Sequence, residues 1–174
     1  MFCVENGLHA ISRIACAVYD KIQSRSTVAR IRSCTDGKAK SPNLGLHAII
    51  ARMDREAFVE LVLDAFDALP EQFRERLQNV EIVVEDWPDF ETLRLAGVRN
   101  RAGLLGFYHG IPLPERTQGY NMVAPDKISI YRRPILMQSR NLREVRETIT
   151  RVLYHEIAHY FGIDDERLRE IGAY

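Results

Sequence analysis

An α+β fold, with a small mixed sheet packed against helices and a C-terminal helix that carries the active-site motif, is predicted by three features of this sequence. Apolar residues recur at three- and four-residue steps over 54–69 and 141–161, which is the helical period. Short stretches at Val80–Glu85, 104–109 and 127–131 read as strands, the first of them alternating and β-branched. The last helical stretch contains H-E-x-x-H. The order helix, helix, strand, strand, strand, helix predicts a sheet of three or four strands against helices.

With 174 residues the chain has length for one domain and a single core. Its formal net charge is zero, so no global charge points to a nucleic acid or a membrane surface as partner. The balance is uneven along the chain. Residues 1–52 carry eight Lys/Arg against three Asp/Glu, and residues 53–174 carry sixteen against twenty-one. Cys3, Cys16 and Cys34 all fall in the first part, an odd count that does not make a disulfide framework. A cysteine-free remainder fits a reducing compartment, so a cytoplasmic location is expected. No apolar run has membrane-spanning length, and no basic start followed by an apolar core marks a secretory signal.

Residues 1–52 read as a poorly patterned, basic N-terminal extension. Leu8, Ile11, Ala15, Val18 and Ile22 make a loose helical pattern, and residues 23–43 have the Ser, Arg, Lys and Thr content of a flexible or disordered linker. The composition shift at Met53, followed at once by a clean helix start, marks Met53 as an alternative start. Residues 53–174 are the expected catalytic domain.

Asp54 is the expected N-cap of the first helix, whose buried stripe is Phe58, Leu61, Val62, Ala65, Phe66 and Leu69. Pro70 stops it and begins a short helix over 71–77 that ends at Asn79. Strand Val80–Glu85 follows and is closed by Asp86-Trp87-Pro88, with Trp87 as a packing residue. Residues 89–96 hold a helical turn or a loop. The second strand, 104–109, has Gly106 inside it, where another part of the chain can approach the backbone closely. Residues 110–124 contain two prolines and Gly119 and read as a long loop. The third strand is expected over 127–131, running on to Leu136 with Pro134 marking an edge. Asn141 caps the final long helix with Glu144 three residues on. Its buried stripe is Leu142, Val145, Ile149, Val152, Leu153 and Ile157. A last helical turn is expected over 166–171.

His155-Glu156-Ile157-Ala158-His159-Tyr160-Phe161-Gly162-Ile163-Asp164-Asp165 reads H-E-x-x-H-x-x-G-x-x-D. Residues four apart on a helix project from one face, so His155 and His159 can bring two nitrogens to one metal ion. Glu156 leans to the same side and can reach a water that the metal activates, as a general base does. Gly162 can take the left-handed conformation that ends a helix. Asp165 then arrives ten residues after His155, where the extended motif holds its third ligand. Spacing favours Asp165 over its neighbours Asp164 and Glu166, which have the same chemistry. Three protein ligands leave the fourth position for water, the arrangement of a catalytic rather than a structural zinc.

Over about residues 53–174 the chain resembles the minimal bacterial zincin-like metallopeptidases. The resemblance rests on D-R-E-A-F at 54–58, G-F-Y-H-G-I-P-L-P-E-R at 106–116, P-D-K-I-S-I-Y-R-R-P-I at 125–135 and H-E-I-A-H-Y-F-G-I-D-D-E-R-L at 155–168. It implies a zincin-like α+β fold, Zn2+ held by His155, His159 and Asp165, and Glu156 as the general base. It departs from the metzincins, which carry a methionine turn after the ligands, because no methionine follows Met137. The floor beneath the metal must be built otherwise.

The expected reaction is hydrolysis of a peptide bond in a peptide or protein substrate, by zinc-activated water with Glu156 moving the proton. A substrate of this kind adds as an extra strand to a sheet edge, here 104–109 or 126–131. His109, Tyr120 and Tyr131 are candidates by residue type for stabilising the oxyanion, and packing is the default for each. Two other classes compete. A metal-dependent RNA hydrolase needs a basic groove, and the part after residue 53 is acidic. A non-catalytic, zinc-stabilised protein-binding domain has no use for Glu156.

Overall fold

The computed structural model describes residues 53–116 and 124–170. The expectations for residues 1–52 and for Tyr120 lie outside the described residues. The described part falls into two compact units that divide between Ile163 and Asp164.

In the larger unit, α1 (Arg55–Asp67) begins where the sequence places it, with Asp54 Oδ1 accepting the Ala57 N–H at 2.8 Å. The second helix, α2 (Glu71–Arg74), is shorter than its pattern predicts. Asn79, with φ +54°, turns the chain into β1 (Val80–Glu85). Asp89 caps the short α3 (Phe90–Leu95), accepting the Thr92 N–H at 2.7 Å. The remaining strands are β2 (Gly106–His109) and β3 (Asp126–Tyr131). Two helices follow, α4 (Arg132–Gln138) and α5 (Leu142–Tyr160).

The sheet is mixed, in the order β1-β3-β2, with β1 parallel and β2 antiparallel to β3. Helix α5 packs on β2 and β3, and α1 packs on α5. Phe58, Ile128, Ile130, Val145, Ile149 and Leu153 are fully buried at this junction. Each such side chain contributes about 1.5–3 kcal/mol by leaving water.

Alternation along the strands decides what faces α5. Gly106 lies against Val152, and the Tyr108 ring stands edge-on to Tyr160 at 6.2 Å, so the even-numbered residues of β2 face the helix. Phe107 and His109 take the other face with Ser129, whose Oγ is 3.4 Å from His109 Nε2.

Three expectations are corrected. The chain does not continue as a strand to Leu136. It leaves the sheet after Tyr131 and enters α4, where Pro134 sits in the first turn and its missing N–H costs no intrahelical bond. The Arg133 N–H donates to the Asp86 carbonyl at 3.1 Å, so this junction is tied to the end of β1. Strand β3 is central, not an edge. Leu142 is 46% exposed and outside the stripe of α5, because it is the first helical residue and lies beyond the sheet's cover.

Asn141 caps α5 as expected, its Oδ1 accepting the Glu144 N–H at 2.9 Å. Glu144 reaches back, but to the N–H of Arg140 at 2.7 Å rather than to that of Asn141.

The second unit is described from Asp164 and contains α6 (Asp165–Glu170), one residue ahead of the expected start. Asp164 Oδ1 accepts the Arg167 N–H at 2.8 Å and so caps this helix.

Candidate metal centre

Helix α5 stops at Gly162, whose φ is +82°. Two bonds close the end: the Gly162 N–H to the His159 carbonyl at 2.9 Å, and the Ile163 N–H to the Ala158 carbonyl at 3.0 Å. This pair is the signature of a glycine-terminated helix. A Cβ at residue 162 would lie 2.8 Å from Pro114 Cγ, so glycine is needed for space as well as for conformation.

The turn delivers the Ile163 carbonyl to His159 Nδ1 at 2.8 Å. A carbonyl only accepts, so Nδ1 carries a proton, and in the neutral imidazole the lone pair is then on Nε2. That Nε2 stands 3.0 Å from His155 Nε2. Two nitrogens on one zinc, each at ~2.0–2.1 Å, are about 3.3 Å apart, so the pair fits a shared ion with little movement. His155 and His159 each offer a ligand atom, and Asp165, at the third-ligand position of the extended motif, belongs to the second unit. Two imidazoles and a carboxylate form a donor set that suits zinc. This group could hold a metal. Of the two neighbours with the same chemistry, Asp164 is engaged as the cap of α6 and Glu166 is exposed.

Glu156 is on the adjacent face of α5 and only 6% exposed. It shares that face with Val152, one turn earlier, and both touch β2 at Gly106. A Cβ there would lie 2.5 Å from Val152 Cγ1 and 3.1 Å from Glu156 Oε1. The sequence expectation of close approach at Gly106 therefore holds, and the approaching group is the carboxylate of the motif.

The other sequence candidates do not join this group. His109 is on the face of the sheet away from α5, where burial is the main cause pushing its imidazole down, with Lys127 adding to it. Alternation puts the fully buried Tyr131 on that same face. Tyr154 packs, with its hydroxyl donating to the Ala65 carbonyl at 3.3 Å and burial pushing its phenol up to about 12. Glu170 pairs with Arg167 at 2.6 Å. Trp87 packs under the Arg101 guanidinium, 4.1 Å from the ring centroid.

One cluster was not foreseen. Tyr108 donates to Asp126 Oδ2 at 2.5 Å, and Arg116 pairs with the same oxygen. The Arg116 side chain also donates to the Ile111 carbonyl at 3.0 Å and lies over the Tyr160 ring at 4.7 Å. Tyr160, next to His159, accepts the Gln78 N–H at 3.0 Å. Burial, then the bond to Asp126, pushes the Tyr108 phenol up. Tyr108, Arg116 and Asp126 lie within the runs at 106–116 and 125–135, but their pairing spans ten to eighteen residues and no local pattern announces it.

A mixed sheet resting on a helix that carries His-Glu-x-x-His, with a glycine turn and an acidic residue after it, defines a zincin-like protein. A family model described as zincin-like metallopeptidase matches residues 77–173, more than half of the chain, and the chain belongs to that family. None of the curated proteins compared with it matches.

Proposed function

We propose that this protein is a zinc-dependent metallopeptidase, with His155, His159 and Asp165 as ligands and Glu156 as general base. The observation that carries the reading is the arrangement at the end of α5. The bond from His159 Nδ1 to the Ile163 carbonyl leaves Nε2 3.0 Å from that of His155, with the buried Glu156 on the next face. When bound, zinc lowers the pKa of water and polarises a carbonyl. Glu156 takes the proton of the attacking water and passes it to the leaving nitrogen. The His159–Ile163 bond holds one imidazole in the tautomer a ligand needs.

Among the described residues β2 is an edge strand, and it suits an extended substrate. The Tyr131 N–H bonds to the Leu105 carbonyl at 2.9 Å, so residues 105 and 131 form a hydrogen-bonded pair. By alternation the pairs Gly106–Ile130 and Tyr108–Ile128 are not hydrogen-bonded. The N–H and carbonyl groups of Gly106 and Tyr108 therefore point away from β3, toward the edge where a peptide strand would add.

The test is zinc per chain and hydrolysis of labelled casein by the full chain and by Glu156→Gln, His159→Ala and Asp165→Ala. The expected result is about one zinc per chain in the parent and in Glu156→Gln, loss of zinc in the other two, and hydrolysis by the parent alone. Hydrolysis at the parental rate by Glu156→Gln would overturn the role of the base. Zinc kept by Asp165→Ala would move the third ligand to a neighbouring carboxylate.

A further inference from the structure

We infer that Gly106 is a positioning residue, whose missing side chain sets where the Glu156 carboxylate stands. The inference rests on the peptidase reading for its meaning in catalysis, and on packing for its geometry. The Glu156 carboxylate is 6% exposed. Here the side chain lies against the backbone of an edge strand. A Cβ at residue 106 would be 3.1 Å from both Glu156 Cγ and Glu156 Oε1, tighter than ordinary contact. The Gly106 backbone is also one of the two β2 positions whose N–H and carbonyl turn outward. One residue thus sets the distance between the general base and the strand along which a peptide would lie. A proton acceptor displaced by even a fraction of an ångström loses alignment with the water and with the leaving nitrogen, and errors near 1 Å cost about 10²-fold.

The same hypothetical Cβ meets Val152 Cγ1 at 2.5 Å, which permits a clean dissection. Gly106→Ala alone meets both side chains and is expected to destabilise. Gly106→Ala combined with Val152→Ala removes the worse clash and leaves the contact with Glu156. Val152→Ala alone is the baseline. Four quantities are compared: thermal midpoint, zinc per chain, kcat and KM on labelled casein, and the crystallographic position of the Glu156 side chain.

The expected result for the double variant is the thermal midpoint and zinc content of Val152→Ala, and an unchanged KM. Its kcat is expected to be lower by roughly ten- to a hundredfold, with the Glu156 carboxylate shifted away from β2. A double variant with the kcat of Val152→Ala, or with Glu156 in its original place, would overturn the inference and reduce Gly106 to a packing residue against Val152. If the parent itself leaves casein intact, the peptidase reading fails on that lane alone. The position of Glu156 in the double variant then decides the inference by itself.

Discussion

His159 shows how much one backbone carbonyl settles. Without the turn at Gly162, the Ile163 oxygen would not reach Nδ1, and the imidazole would be free to carry its proton on either nitrogen. Gly162 therefore serves the site through the helix end it permits. Alanine at 162 has to take a left-handed conformation and meets Pro114 Cγ and Cδ at 2.8 and 2.9 Å. The expected cost of Gly162→Ala is about 1–3 kcal/mol, read by urea unfolding, with zinc binding weakened alongside. Parental stability and zinc affinity would show that the turn adapts without disturbing His159. At the same scale, Asp126 is buried beneath both Tyr108 and Arg116, so a charge pair ties Arg116 to the start of β3.

At the scale of elements, α5 makes the site rigid. Its N-terminus is closed by Asn141 and Glu144, its middle is buried through Val145, Ile149, Val152 and Leu153, and its end carries the ligand histidines of the proposal. Asn141→Ala removes one cap bond, remote from the histidines. A loss of about 1 kcal/mol is expected, lowering the thermal midpoint by about 2–6 °C with zinc content unchanged. Calorimetry with elemental analysis checks both halves, and loss of zinc would mean that fraying spreads down the helix. Helix α4 carries the contrary lesson. Its residues include Ile135 and Leu136 beside Pro134, a local pattern that also suits an edge strand. Its helical state follows from the ties of Arg132 and Arg133 to Asp86.

Within the larger unit those ties join three places. Arg132, 7% exposed, holds Asp86 at the end of β1 and the carbonyl of Met53 before α1. The hydrogen bond from Arg132 holds the Asp86 carboxyl below its ordinary 3.8; burial opposes it, and the charges of Arg132 and Arg133 add to the lowering. A carboxylate whose folded pKa is depressed contributes stability above its unfolded pKa. That contribution is lost as pH falls through the folded value. The unfolding free energies of the parent and of Asp86→Asn should therefore differ at neutral pH and converge between about pH 5 and pH 2. A difference that stays constant over that window would show that the charge of Asp86 adds nothing.

The fold class, β1 to the residue, the caps at Asp54 and Asn141, the turn at Gly162 and the His155–His159 spacing were legible in the sequence, because each rests on contacts within a few positions. The outcome at Leu136, the exposure of Leu142, the removal of His109 and Tyr131 from the site, and the Tyr108–Asp126–Arg116 cluster were decided only in three dimensions. Strand order made β3 central, and strand register chose which face met α5. The reason is physical: a helix cap or a one-turn spacing is fixed by local backbone geometry. Which strand is an edge, and which side chain meets a helix, depends on pairings between residues far apart in the chain.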